Sequence, residues 1–254
     1  MKLTRGTWFA CGLTLPLVLL VGVVAGDPAE PPALSKVVPP DDLLKQVDLY
    51  VASFREGLAD SQTYADKSRQ ITRDAHCLAA LALVLAKHDQ DHRLRAASPA
   101  LLAAAQQLAK AKDFDAAKKA FGAVGDAADG KVGPAGDVKW ERVASLGQLM
   151  KQVTFVNNRL KRNMRRFDER KEDNLRDAAV LAVIAQVSVY DTHEVKDPAD
   201  LDKWYQWCDA MRDAAADVNA RIRAGDKPAA EAALANLGKS CESCHETFRV
   251  RAAP

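Results

Sequence analysis

The stretch "LANLGKSCESCHETFRV", residues 234–250, decides how the rest of the chain is interpreted. Its apolar and sulfur-bearing residues recur every three or four positions, which is the spacing of one face of an amphipathic helix. Cys241, Cys244 and His245 therefore lie on the same face. That face also carries three apolar side chains, Leu234, Leu237 and Phe248. The spacing predicts a helix whose cysteines and histidine point towards an apolar core.

Three more helical stretches precede this one in the second half of the chain. The four predicted helices span residues 140–170, 172–191, 198–224 and 226–251. Asp226 is a suitable N-cap for the last helix, because Pro228 follows in the first turn. Four helices joined by short links favour an antiparallel bundle. The first helix of this set has a heptad-like inward stripe, formed by Leu146, Met150, Val153, Val156 or Asn157, Leu160, Met164 and Phe167.

The first half of the chain repeats the pattern of the second. The segment "LLKQV" at residues 43–47 recurs as "LMKQV" at 149–153, and "RDAHCLAALALVLAKHD" from Arg73 recurs as "RDAAVLAVIAQVSVYDT" from Arg176. "DFDAAKKAFGAVG" from Asp113 likewise recurs as "DKPAAEAALANLG" from Asp226. Three matches in the same order indicate a duplication. The predicted fold is all-α, with tandem antiparallel four-helix bundles over residues 41–125 and 140–254 and a glycine-rich linker over residues 126–139.

The N-terminus has the pattern of a secretory signal peptide over residues 1–26. Lys2 and Arg5 precede an uncharged run, which ends at the small residues Ala25 and Gly26. The alternative is an uncleaved anchor, because the run approaches the roughly 18–20 residues that span a bilayer. A proline-rich linker follows over residues 27–40. Export to the periplasm is therefore expected, and no later stretch is apolar enough to give the mature protein a membrane span.

The charge balance gives no indication of nucleic-acid binding. The formal net charge of the whole chain is +2, and removal of Lys2 and Arg5 with the signal peptide would bring it to zero. Nucleic-acid-binding domains show a marked basic excess instead.

Three kinds of site use two closely spaced cysteines. A dithiol oxidoreductase exposes its Cys-x-x-Cys at the start of a helix beside a sheet, whereas this motif lies near a helix end in a chain without strand patterns. A structural zinc site needs four ligands, and no second Cys/His pair has suitable spacing. In an exported protein, Cys-x-x-Cys-His instead indicates a c-type haem, held by two thioethers and an axial histidine. The sequence predicts one covalent haem c at Cys241, Cys244 and His245.

The segment "CESCHETFR", residues 241–249, resembles the cytochrome c′ and cytochrome c-556 family, whose signature CxxCHxxFR or CxxCHxxYR ends the last helix of a four-helix bundle. The resemblance covers about residues 140–251. It implies that Cys241 and Cys244 attach the haem and that His245 is the proximal ligand. Phe248 and Arg249 would lie along the haem, with Arg249 near the proximal ligand or a propionate.

The resemblance also draws attention to Met150. In this family the first helix crosses the distal face of the haem, where six-coordinate members place a methionine and five-coordinate members an apolar side chain. Met150 lies on the inward stripe of that helix, and its repeat partner is Leu44. Met150 is therefore a candidate distal ligand; the alternative is that it fills an irregular gap in the core. The first half has "AADGKVG" where the haem motif would stand, so only the second half is expected to carry haem.

Several other residues have a structural interpretation. His88 and His92 have metal-ligand spacing but lack a third ligand, so a solvated helix end is expected. The basic run at residues 161–171 is expected on an exposed helix face and end. Cys77 and Cys208 are interpreted as small buried residues, although a bridge between the halves stays open.

The expected function is that of an exported c-type cytochrome, an electron carrier for a redox partner protein. If the distal side is apolar, the expectation becomes a five-coordinate haem protein that binds nitric oxide or carbon monoxide. A third hypothesis is an exported helical interaction scaffold. No nucleophile–base or acid–base pair accompanies the motif, so an enzyme is not expected. The two bundles are predicted to pack as an intramolecular pseudo-dimer.

Overall fold

The structure is a computed structural model that describes residues 28–131 and 136–248. The predicted signal peptide and Arg249 lie outside the described residues. The described ranges contain helices and no strand, which confirms the all-α prediction. None of the described helices is both long enough and apolar enough to cross a membrane.

The described residues form eight α-helices in two sets of four. The first set is α1 (Pro40–Gly57), α2 (Ser61–Lys87), α3 (Ser98–Lys110) and α4 (Phe114–Ala128). The second set is α5 (Leu146–Asn163), α6 (Lys171–Ser188), α7 (Leu201–Ala224) and α8 (Lys227–Phe248). Short 3-10 turns lie at Leu34–Lys36, Met164–Arg166 and Pro198–Asp200.

Local sequence fixes several helix ends. The Asp226 carboxylate accepts a hydrogen bond from the Ala229 N–H at 3.0 Å, so the predicted N-cap of α8 is confirmed. Asp60 and Asp113 cap α2 and α4 in the same way. Gly225 has φ 75°, a left-handed conformation that glycine adopts without strain, and it ends α7 directly before the α8 cap.

The predicted start of α5 at residue 140 is wrong, because the helix begins at Leu146. The preceding segment is bound to the first half of the chain. Val143 accepts a hydrogen bond from the Gln106 side chain, and the Ser145 N–H donates to His76. Val143 is also buried, so this segment packs on the protein without being helical. The same helix was predicted to reach residue 170, but it ends at Asn163.

The end of the first repeat also differs from the prediction. Helix α4 continues to Ala128, beyond the predicted boundary at residue 125. Ala127 and Ala128 are buried in the core, so the chain stays helical until its last apolar contact is made. The origin of the two sets by duplication stays a prediction.

The two sets differ in whether their first and last helices pack on each other. In the first set, consecutive helices pack on each other and α1 packs on α4. In the second set, α5 packs on α6, α6 on α7 and α7 on α8, but α5 and α8 hardly approach each other. The sets share a hydrophobic core, in which α2 packs on α5 and α6 while α1 packs on α6. A gap is therefore left at one edge of the second set.

Candidate functional site

The gap between α5 and α8 is a cavity of about 460 Å³. This volume lies within the range of about 300–1,000 Å³ that is typical of small-molecule and cofactor sites. Its walls are mainly apolar and contain three sulfur-bearing side chains besides the two motif cysteines. Its lining includes Leu146, Met150 and Val153 from α5, Trp204, Cys208 and Met211 from α7, and Cys241, Cys244, His245 and Phe248 from α8.

The Cys-x-x-Cys-His motif forms one wall of this cavity. Cys241 and Cys244 are half-buried, and His245 is exposed at the same surface of α8. Burial raises the pKa of Cys241, and it raises the pKa of Cys244 to about 11. Both thiols are therefore protonated at neutral pH, unlike the low-pKa thiolate of a dithiol oxidoreductase.

The chemistry of the surroundings also argues against a zinc site. Within residues 28–131 and 136–248, no three His, Cys, Asp or Glu side chains are grouped so that they could hold a metal ion. A structural zinc site would need four such ligands. Two thiols and an imidazole on one wall of an apolar cavity instead fit the donor set of a covalently attached haem.

The opposite wall is provided by the first turns of α5. Met150 is half-buried and lines the cavity between Leu146 and Val153, so the structure brings it to the same cavity as His245. Leu149, its sequence neighbour, is only 2 % exposed and packs into the shared core. The position of Met150 agrees with the predicted inward stripe, whereas its role as an iron ligand stays a prediction.

Helix α7 and the end of α8 complete the cavity with aromatic side chains. The Phe248 ring packs edge-to-face on Trp204, with ring centroids 5.2 Å apart. The Trp204 indole N–H donates to the Ser188 carbonyl oxygen at 3.0 Å, which fixes the ring against α6. Trp204 therefore both lines the cavity and packs in an apolar cluster.

Comparison with known protein families gives a match for this half of the chain. The family described as Cytochrome C′ matches residues 141–249, the segment that contains α5 to α8 and the whole motif. Residues 141–249 thus form a region similar to a cytochrome C′ domain. Searches of the curated proteins and of the solved structures found no significant match.

The family implies the class of cofactor that this region holds. A cytochrome C′ domain is a haem-binding domain, and the family implies a covalently bound c-type haem. Cys241 and Cys244 are the thiols available for thioether bonds, and both line the cavity. Proteins of this family are typically exported, whereas the signal peptide of this chain stays a prediction.

In the described residues of the first half, the first and last helices pack together, unlike α5 and α8 of the second half. There α1 packs against α4, and Leu44, the repeat partner of Met150, is buried. The corresponding gap is thus closed by direct helix packing.

All four described cysteines are free thiols, so Cys77 and Cys208 form no bridge between the halves. Both are buried, as predicted. Cys77 lies in α2, whereas Cys208 lines the cavity of the second half. The distance of Cys208 from the motif along the chain gave no sign that the two would share a cavity.

The solvated helix end predicted for His88 is wrong. The side chain is fully buried, and its Nε2–H donates to the Val38 carbonyl oxygen at 3.1 Å. Its Nδ1 accepts from the Gln90 N–H, also at 3.1 Å. The ring joins the end of α2 to the segment before α1, which the local sequence does not reveal. His92 lies nearby and its Nε2 contacts the Leu85 carbonyl oxygen.

The basic run at residues 161–171 is exposed along most of its length, as predicted. Lys161, Arg162 and Arg165 point to solvent at the end of α5. Arg166 pairs with Glu169, and Arg170 pairs with Asp173.

Proposed function

We propose that this protein is an exported c-type cytochrome that carries one covalent haem and transfers single electrons. The observation that supports the proposal most directly is the shared cavity of Cys241, Cys244, His245 and Met150. The haem would supply an iron that alternates between the ferric and ferrous states. Cys241 and Cys244 would hold it through thioethers, His245 would be the proximal ligand and Met150 the distal ligand.

The remaining cavity residues would control the surroundings of the haem. Leu146, Val153 and Trp204 place apolar surface around the cavity, which lowers the access of water. Burial and axial ligation are the main means by which a protein sets the potential of a haem. Phe248 would pack along the haem beside Trp204. The role that the resemblance implies for Arg249 stays a prediction, because this residue lies outside the described residues.

A second candidate function is binding of nitric oxide or carbon monoxide by five-coordinate iron. It is supported by the apolar neighbours of Met150, because Leu146 and Val153 line the same wall and provide no other ligand. In either case the proposal is a non-enzymatic periplasmic protein, exported by residues 1–26, with a redox protein or a small gas as its partner and without a nucleic-acid partner.

The test is a pyridine haemochrome spectrum of the full chain, produced with the cytochrome c maturation machinery. We expect a spectrum of haem bound through two thioethers, with one haem per chain. The matched control is the Cys241→Ala/Cys244→Ala variant, which should lose the covalent haem while circular dichroism still shows a helical protein. A wild-type protein without covalent haem would refute the cytochrome proposal and favour the interaction scaffold.

A further inference from the structure

The cavity wall that carries Met150 is held by contacts on the side of α5 that faces away from the cavity. Helix α5 hardly approaches α8, and its main neighbours are α6 and, in the other half of the chain, α2. A helix that borders an open cavity has fewer packing contacts on that side to fix its position. The contacts on its other side therefore decide where Met150 lies.

Two hydrogen bonds from the first half hold the residues directly before α5. The Gln106 side-chain amide on α3 donates to the Val143 carbonyl oxygen at 3.0 Å. His76 on α2 accepts at Nδ1 from the Ser145 N–H at 3.3 Å. Ser145 is the N-cap residue of α5, and its side chain makes no capping hydrogen bond. The start of this helix is thus bound to the first half instead of being capped locally.

Two further contacts hold α5 beyond Met150. The Gln152 side-chain amide donates to the Tyr50 hydroxyl at 2.8 Å, and both residues are buried. The Arg73 guanidinium lies 4.9 Å from the centre of the Phe155 ring, within cation–π distance. Contacts from α1, α2 and α3 therefore lie on both sides of Met150 along the chain, from residue 143 to residue 155.

We propose that the half without the haem motif is a scaffold for the haem cavity, and that Tyr50, His76 and Gln106 are positioning residues for the wall that carries Met150. This inference rests on the proposed cytochrome function and assigns a role to the first half of the chain. The three residues do not line the cavity. They act through α5, by keeping its first two turns at a fixed distance from the motif on α8.

The first test measures the local stability of the start of α5 in a protein that carries no haem. Amide hydrogen exchange is followed at residues 146–152 of the full-length Cys241→Ala/Cys244→Ala protein, with and without Tyr50→Phe, His76→Ala or Gln106→Glu. Each of these changes removes one hydrogen bond to α5 or its preceding segment. The exchange should become about fivefold faster for each bond lost, which corresponds to about 1 kcal/mol per hydrogen bond. His76→Asn, which keeps an acceptor near Nδ1, should restore much of the protection.

The matched control is Val124→Ala on α4. Val124 is fully buried in the first half, and α4 packs on α1, α2 and α3. This variant should lower the melting temperature at least as much as the three positioning variants while leaving exchange at residues 146–152 nearly unchanged. If it accelerates exchange there to the same extent, the first half contributes only general stability and the scaffold role is wrong.

The second test uses the haem-loaded protein and measures the spin state of the iron and its rate of carbon monoxide binding. Tyr50→Phe/His76→Ala should shift the spin-state ratio in the Soret and visible spectrum and speed carbon monoxide binding, whereas Val124→Ala should not. Unchanged spectra in the double variant would overturn the proposal. A wild-type protein without covalent haem would instead refute the cytochrome function, while the exchange experiment would still decide whether the first half fixes α5.

Discussion

Removal of Arg159 should produce one of the largest losses of stability available to a single substitution on α5. Its Nε donates to the Asp177 carboxylate of α6 at 2.8 and 3.1 Å, and its terminal nitrogen makes a further contact with the same group. The Asp177 side chain is completely buried, whereas that of Arg159 is 31 % exposed. Burial raises the pKa of Asp177, despite the opposing effect of Arg159. The charged form of the Asp177 carboxylate is therefore stabilised by the Arg159 guanidinium against the cost of burial.

The size of the expected loss of stability follows from the different burial of the two side chains. Loss of one partner of a buried ion pair costs about 3–5 kcal/mol, because the remaining charge stays uncompensated. The partial exposure of Arg159 favours the lower end, so Arg159→Ala should cost about 3 kcal/mol, including the cation–π contact with Phe155 at 5.3 Å. In a chain of this size, such a loss lowers the melting temperature by about 6–12 °C.

The assay is urea denaturation of the wild type, Arg159→Ala, Asp177→Asn and the double variant at pH 7. Asp177→Asn should cost less than Arg159→Ala, because the uncompensated group is then a cation that can reach water. The double variant should be more stable than Arg159→Ala alone, because no charge remains buried. If Arg159→Ala costs less than about 1 kcal/mol, or if Asp177→Asn fails to restore stability in its background, the argument from buried charge is wrong.

The pH dependence provides an internal check on the same variant. A folded-state pKa of Asp177 above the unfolded value of 3.8 means that the charged form opposes folding. The cost of Arg159→Ala should therefore be complete at neutral pH and decrease as the pH falls through the raised folded-state pKa. A cost that grows on acidification would contradict this sign.

Three further predictions concern the site and the contact between the halves. Met150→Leu should convert six-coordinate low-spin iron into high-spin iron that binds carbon monoxide readily; if the unmutated ferrous protein already behaves so, Met150 is only core packing. Burial and Lys110 lower the pKa of His76 below its usual 6.5, so its contribution to stability should be complete above about pH 6.5 and be lost as the pH falls through the lowered folded-state value. His76→Asn should flatten that part of the profile measured by urea denaturation, and an unchanged profile would assign the dependence to another group. Trypsin should cut at the exposed Lys131 or Lys139, and the two halves should still elute together in size exclusion because α2 packs on α5 and α6; separate elution would contradict the predicted intramolecular pseudo-dimer.

The parts of the fold and site that could be predicted from sequence are those that depend on local spacing. The inward stripe of α8 places Leu237 and Phe248 in the core and the two motif cysteines at the cavity. Asp226 caps its helix because a carboxylate at that position satisfies backbone N–H groups whatever the rest of the chain does. Helix periodicity and capping act over a few residues, so a sequence displays them directly.

The parts that could not be predicted depend on contacts between distant residues. The burial of His88 results from the Val38 carbonyl, 50 positions away in the chain. The late start of α5 likewise results from His76, 69 positions before Ser145. In both cases a partner from a distant part of the chain determines the local environment. The side-chain position of Met150 was predictable from its stripe, whereas the opening beside it depends on how α5 and α8 are spaced.

The third thiol in the cavity wall has a consequence for the chemistry of haem attachment. Cys208 is 5 % exposed, and burial raises its pKa well above the usual thiol value, with a further contribution from neighbouring Cys244. Thiol alkylation requires an accessible sulfur and proceeds fastest from the thiolate. In the folded chain, Cys208 should thus be the least reactive of the three cavity thiols, and the half-buried Cys241 and Cys244 would be the sulfurs that form the thioethers of a c-type haem. The choice of which thiols react is in this way determined by how deeply each cysteine sulfur is buried between the helices.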